Sequence, residues 1–143
     1  MSVGQFVFML HSHLPYYRKA GMWPFGEENL YECMAETYVP LLNAISELYD
    51  EGIKAKLTVG ITPILAEQLN DEHLKHGFVK YLDSRIAQVS KDLDRYPDPK
   101  VAHSQHLKYL AKYYFDWFSN IKDAFVNKYG MDLIAQFKKF QDL

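Results

Sequence analysis

Cysteine is almost missing from this chain. A single Cys33 in 143 residues excludes an intrachain disulfide framework and suits a reducing compartment. No apolar run approaches the ~20 residues of a membrane-spanning helix. The N-terminal apolar run is also too short, and lacks the basic flank, for a secretory signal. Cytoplasm is therefore the expected location, with no membrane partner. A basic excess is lacking as well: 16 Lys and Arg stand against 18 Asp and Glu, a net charge of −2. That balance argues against nucleic acid as the main partner. Repeats, low-complexity segments and linkers are absent, so residues 1–143 are expected to form one unit with no internal boundary, large enough for a real core.

What the chain has in quantity is aromatics: eleven Tyr, nine Phe and two Trp. That surplus is compatible with stacking on sugars or bases, and a large core is the plainer account. The stretch with chemistry written into it is residues 6–17, FVFMLHSHLPYY. An apolar run rich in Phe and Val, closed by a Pro, reads as a buried strand over residues 5–12. Side chains alternate along a strand, which puts His11 and His13 on one side. In parallel α/β sheets and barrels, the C-terminal end of a strand is where ligands are handled.

A long irregular loop, residues 13–28, follows and carries Trp23 and Phe25; loops of that length in compact domains are more often functional than idle. Glu27 and Glu28 suit the first turn of a helix. Leu30, Met34, Tyr38, Leu41, Ile45 and Leu48 recur at helical spacing up to Gly52, and Pro40 should kink that helix near residues 36–40. Residues 54–61 alternate, with Ala55, Leu57, Val59 and Ile61 on one face, and read as a second strand. Strand, helix, strand implies a parallel pair with a right-handed crossover. Thr62-Pro63 opens a short helix to about Leu69. Asp71 caps a longer one with the stripe Leu74, Phe78, Leu82, Ile86, Val89 and Leu93, broken at residues 96–99. Another runs from about Ala102 through Leu107, Leu110, Tyr114, Trp117, Ile121 and Phe125 to Gly130. A last one covers residues 131–142. Two parallel strands and about five helices do not close a sheet, so the fold expected is the opening portion of a larger, helix-rich α/β architecture.

The His11-x-His13 pair has three readings of equal weight. It can begin a metal site, as in metal-dependent hydrolases, but zinc would need a third ligand. It can bind substrate hydroxyls through its ring nitrogens, or be satisfied by backbone alone. His103-x-x-His106 reads as a solvated face near a helix start. Glu27, Glu28, Glu36 and Glu67 are not paired at a defined spacing, and caps and surface roles account for most of them. Trp23 can stack on a sugar or plug the loop onto the strand ends. Trp117 reads as core.

The string HSHLPYYRKAGMWPFGEENLYECMAETYVPLLNAISELYDEGIKAKLTVGITPILAEQL resembles the N-terminal part of glycoside hydrolase family 57, and within it the 1,4-α-glucan branching enzymes. The resemblance runs from Phe6 to the end of the chain, where FKKFQDL resembles the helix before the third strand. It implies an incomplete (β/α)7 barrel acting on α-1,4-glucan by a retaining mechanism, with a Glu nucleophile, an Asp acid/base and no cofactor or metal. It places His11, His13, Tyr16 and Trp23 among glucan-binding residues. It also puts both catalytic carboxylates beyond Leu143, so no Glu or Asp here takes those roles. The chain is accordingly expected to be an inactive fragment of such an enzyme, or one part of a split one with a C-terminal remainder of the barrel as partner. The alternatives are a metal-dependent hydrolase built on His11-x-His13 and a non-catalytic domain that binds glucan or a partner chain.

Overall fold

The computed structural model describes residues 3–4, 6–54, 56–98 and 100–141. Two strands, β1 (Met9–Ser12) and β2 (Thr58–Ile61), pair in parallel, with Met9 opposite Thr58 and Ser12 opposite Ile61. Between them lies the crossover helix: α1 (Glu27–Cys33), a π turn (Met34–Tyr38) and α2 (Val39–Asp50). After β2 come α3 (Pro63–Asn70), α4 (Glu72–Arg95), α5 (Ser104–Asp123) running into a second π turn (Ala124–Lys128), and α6 (Leu133–Gln141). The parallel pair and the five helical runs agree with the strand and helix pattern of the sequence.

The π turn is the chain's answer to Pro40. Proline has no N–H and its ring collides with the carbonyl four residues back. Here Val39 N–H donates to Met34 C=O, one residue further than an α-helix would reach, and the widened turn accommodates the ring without ending the helix. The extra residue rotates everything downstream by about a quarter turn. Leu30, Met34 and Tyr38 are buried as the spacing predicts. Beyond the turn the buried positions are Val39, Leu42 and Ser46, and the expected Leu41, Ile45 and Leu48 are only partly covered.

Burial elsewhere follows the stripes for α4, where Leu74, Phe78 and Leu82 are enclosed. With Tyr31, Leu65, Leu69, Ile121, Phe125 and Leu133 they form one core. The stripe on α5 is corrected at its N-terminal end. Leu110 and Tyr114 are exposed, while Ser104 and Ala111 are buried. Small residues at the buried positions let two long helices approach closely. Trp117 is partly buried against the core.

The buried reading of strand one is also corrected. Strand pairing begins at Met9 rather than at residue 5, Phe6 is 89% exposed and Met9 62%. The apolar run has β2 as its one strand neighbour among the described residues, and cover on one face begins only at the half-buried Leu10 and the buried Ser12. Pairing of β2 begins at Thr58 rather than at residue 54, and α5 begins at Ser104 rather than at 102. Gln5 and Ala55 from the expected strands, Pro99 from the turn and Asp142 from the last helix lie outside the described residues.

Candidate functional site

His11 sits at the end of β1 opposite Gly60, and His13 follows just past the strand. Both are exposed and flank the buried Ser12, the alternation extended backbone imposes. His13 Nδ1 lies 3.3 Å from Thr62 Oγ1. Thr62 occupies the N-cap of α3, but its hydroxyl makes no capping bond and faces the histidine instead. Tyr16 and Trp23 are strongly exposed, at 60% and 79%. The four residues singled out from the sequence thus all present side chains to solvent at the C-terminal end of β1 and along the loop that follows.

The loop itself is tied down. Gln68 on α3 accepts from Tyr17 N–H at 2.6 Å and donates to Pro15 C=O at 2.9 Å. Arg18 Nε donates to Asp71 Oδ2 at 2.6 Å, while Asp71 Oδ1 caps α4 by accepting from Leu74 N–H at 3.1 Å. Burial works against the Asp71 charge, yet the Leu74 amide and the Arg18 guanidinium outweigh it and hold the carboxyl below its ordinary value.

At the far end of the loop Glu27 is buried, a role its place in a helix's first turn does not announce. Its Oε1 accepts from Lys19 N–H at 2.8 Å and meets His73 Nε2 at 2.9 Å; its Oε2 accepts from Tyr31 Oη at 3.0 Å. Burial raises the cost of the charge, but these three partners together hold the carboxyl below its ordinary value. The same geometry pushes the buried Tyr31 hydroxyl well up. Glycine at 77 is what allows it. A Cβ there would come within 2.0 Å of Tyr31 Oη. Beside this cluster a cleft of about 680 Å³ opens between α1 and α4, lined in part by Met22, Glu28, His73, Lys80 and Arg85, with Arg85 paired to Glu28. No group of three His, Cys, Asp or Glu side chains is placed to hold a metal ion among the described residues. His103 and His106 are exposed, and His106 stacks on Tyr109 with ring centroids 6.2 Å apart.

Against known proteins, residues 7–142 match the Glycosyl hydrolase family 57 profile. A 1,4-alpha-glucan branching enzyme of Thermococcus kodakarensis is 37% identical over 139 residues, covering 97% of this chain and 19% of that protein. The crystal structure of a family 57 branching enzyme from the archaeon Pyrococcus horikoshii superimposes with a TM-score of 0.86 at 35% identity, covering 95% of this chain and 24% of that one. The alpha-amylase of Thermotoga maritima gives 0.77 at 31% identity, with 95% and 25% covered. The chain therefore spans about a fifth of the curated relative it matches and about a quarter of the solved ones. Its strand–helix–strand unit corresponds to the N-terminal part of their (β/α)7 barrel.

Proposed function

Because the chain belongs to glycosyl hydrolase family 57, we propose that it forms the glucan-contacting first part of an α-1,4-glucan branching domain. The observation that carries this reading is that His11 and His13 at the C-terminal end of a parallel strand, and Tyr16 and Trp23 along the loop after it, are all exposed. Imidazole and phenol groups exchange hydrogen bonds with sugar hydroxyls, and an indole offers its face to the apolar side of a pyranose ring. Side chains of this kind can bind a glucan. They cannot cleave one, because retaining transfer to a 6-hydroxyl needs two carboxyl groups roughly 5–5.5 Å apart, a nucleophile and an acid/base. In this reading both belong to the C-terminal remainder of the barrel, which is also the partner of these residues. Residues 1–143 then form the N-terminal part of one catalytic domain, needing no cofactor, in a cytoplasmic enzyme of glycogen synthesis. Among the described residues no helix is long and apolar enough to cross a membrane.

A second reading, hydrolysis of the same substrate class, draws support from the likeness to the Thermotoga maritima amylase. The test is to incubate residues 1–143 with amylose, following iodine staining and reducing ends, and to titrate the same sample with maltoheptaose. Binding without turnover supports the proposal. Turnover by the chain alone would place the catalytic pair within these residues and overturn it.

A further inference from the structure

Gln68 is 1% exposed and sits between Leu65 and Leu69 on the core face of α3. A leucine would fill such a position, and a buried amide is costly unless each polar end is satisfied. Here the satisfaction comes from outside the helix. The amide oxygen takes the Tyr17 N–H and the amide nitrogen gives to the Pro15 carbonyl, with Ile64 C=O of its own helix at 3.3 Å as a further acceptor. The two loop groups flank Tyr16, so one side chain fixes the backbone on both sides of an exposed phenol. A glutamate could accept from Tyr17 but could not donate to Pro15; the site calls for an amide.

The grip continues along the helix. Thr62 at its start meets His13, and Asp71 just past its end holds Arg18. Successive positions of α3 and its flanks thus engage successive positions of the loop. We infer that α3 is a rail for residues 13–18 and that Gln68 is its positioning residue, setting Tyr16 and His13 for a glucan chain. This rests on the glucan-binding reading above for the ligand, though not for the rail itself.

The experiment uses residues 1–143 at low micromolar concentration, in a Trp117→Phe background so that Trp23 is the reporting indole. Gln68→Met removes both loop bonds at similar volume, and Gln68→Glu removes the donor alone. Backbone hydrogen exchange is read at Lys19 and Ala20, whose acceptors are Glu27 and Tyr17 and are untouched by either change. Both variants should raise exchange there by about tenfold or more, with α4 and α5 unaltered. Both should weaken maltoheptaose binding by about fivefold or more. Unchanged exchange at Lys19 and Ala20 would overturn the rail, and a loosened loop with unaltered affinity would overturn the positioning role. Should the wild-type chain fail to bind maltoheptaose, the glucan reading falls, and the rail is decided on exchange alone. Should Gln68→Met unfold the protein, Asp71→Asn decides: asparagine caps a helix as well as aspartate does but gives up the charge facing Arg18. Loop exchange should again rise with α4 intact, and no rise would overturn the rail.

Discussion

Glu27 and His73 meet at 2.9 Å across 46 residues of sequence, joining the first turn of α1 to the first turn of α4. Neither residue belongs to an apolar stripe. Their pairing, with Tyr31 and the Lys19 amide on the remaining lone pairs, closes the end of the loop that carries Trp23 onto the helical layer.

Stability should depend on acid through this cluster. A carboxylate whose folded value is depressed contributes stability that is present above its unfolded value, about 4.3 for glutamate, and is lost as pH falls through the folded one. Glu27 is such a group. Glu27→Gln should lower stability at pH 7 by about 1–3 kcal/mol and flatten the loss of stability below pH ~4.5. Urea unfolding at pH 7 and at pH 4 measures both; a variant with the wild-type pH slope would show that Glu27 is not the group responsible.

Gly77→Ala pits helix propensity against packing. Alanine gains at most about 1 kcal/mol over glycine inside a helix. Its Cβ would fall 2.0 Å from Tyr31 Oη and 2.7 Å from its Cζ, on a side chain that is fully buried. Overpacking of this kind costs about 1–3 kcal/mol or more, so the net effect should be destabilising. A thermal melt shifted upward would mean that α1 and α4 separate more easily than their contacts imply.

Exposed apolar residues just before and at the start of β1 should make the chain self-associate. Phe6, Val7, Phe8 and Met9 are all exposed, and along β2 a groove of about 850 Å³ is lined by Leu57, Val59, Ile61 and Phe137 among others. Surfaces of this kind seek a partner. Sedimentation velocity should show mass rising with concentration, and Phe6→Lys with Phe8→Lys should reduce it. A monomer at all concentrations would mean that these faces are less adhesive than their composition indicates.

Much of this fold was legible because it rests on periodicity. Alternation from Leu57 to Ile61, the Thr62-Pro63 entry and the Asp71 cap each carry their own local chemistry, and each stands where that chemistry puts it. The phase of the long first helix did not follow from spacing, since the π turn before Pro40 inserts a residue that no stripe reveals. Nor did the exposure of residues 6–9, because burial depends on neighbours rather than on hydropathy. In the candidate site, His11 and His13 could be read from a two-residue period, and Trp23 from its place in a long loop. Gln68 and Glu27 could not. Gln68 is held by the backbone of Pro15 and Tyr17, and Glu27 by the Lys19 amide and by His73, 46 residues away; neither backbone nor so distant a side chain leaves a mark in local spacing. The sharpest hint was a polar Gln68 on the apolar face between Leu65 and Leu69.

Trp23→Ala should leave the fold intact, since the indole is 79% exposed. If it stacks on sugar, its loss should cost about 1 kcal/mol of binding, or roughly fivefold in affinity. A full-length relative carrying the matching change should show weakened amylose binding or turnover with unaltered thermal stability; unchanged kinetics would remove Trp23 from the site.

The most direct measurement is a titration of residues 1–143, in the Trp117→Phe background, with maltoheptaose while following Trp23 emission. A saturable change, abolished or strongly weakened by His13→Ala and absent with a β-1,4-linked glucan oligosaccharide such as cellohexaose, is the predicted result. No saturable response at millimolar maltoheptaose, or an equal response to cellohexaose, would contradict the assignment of this loop to α-glucan binding.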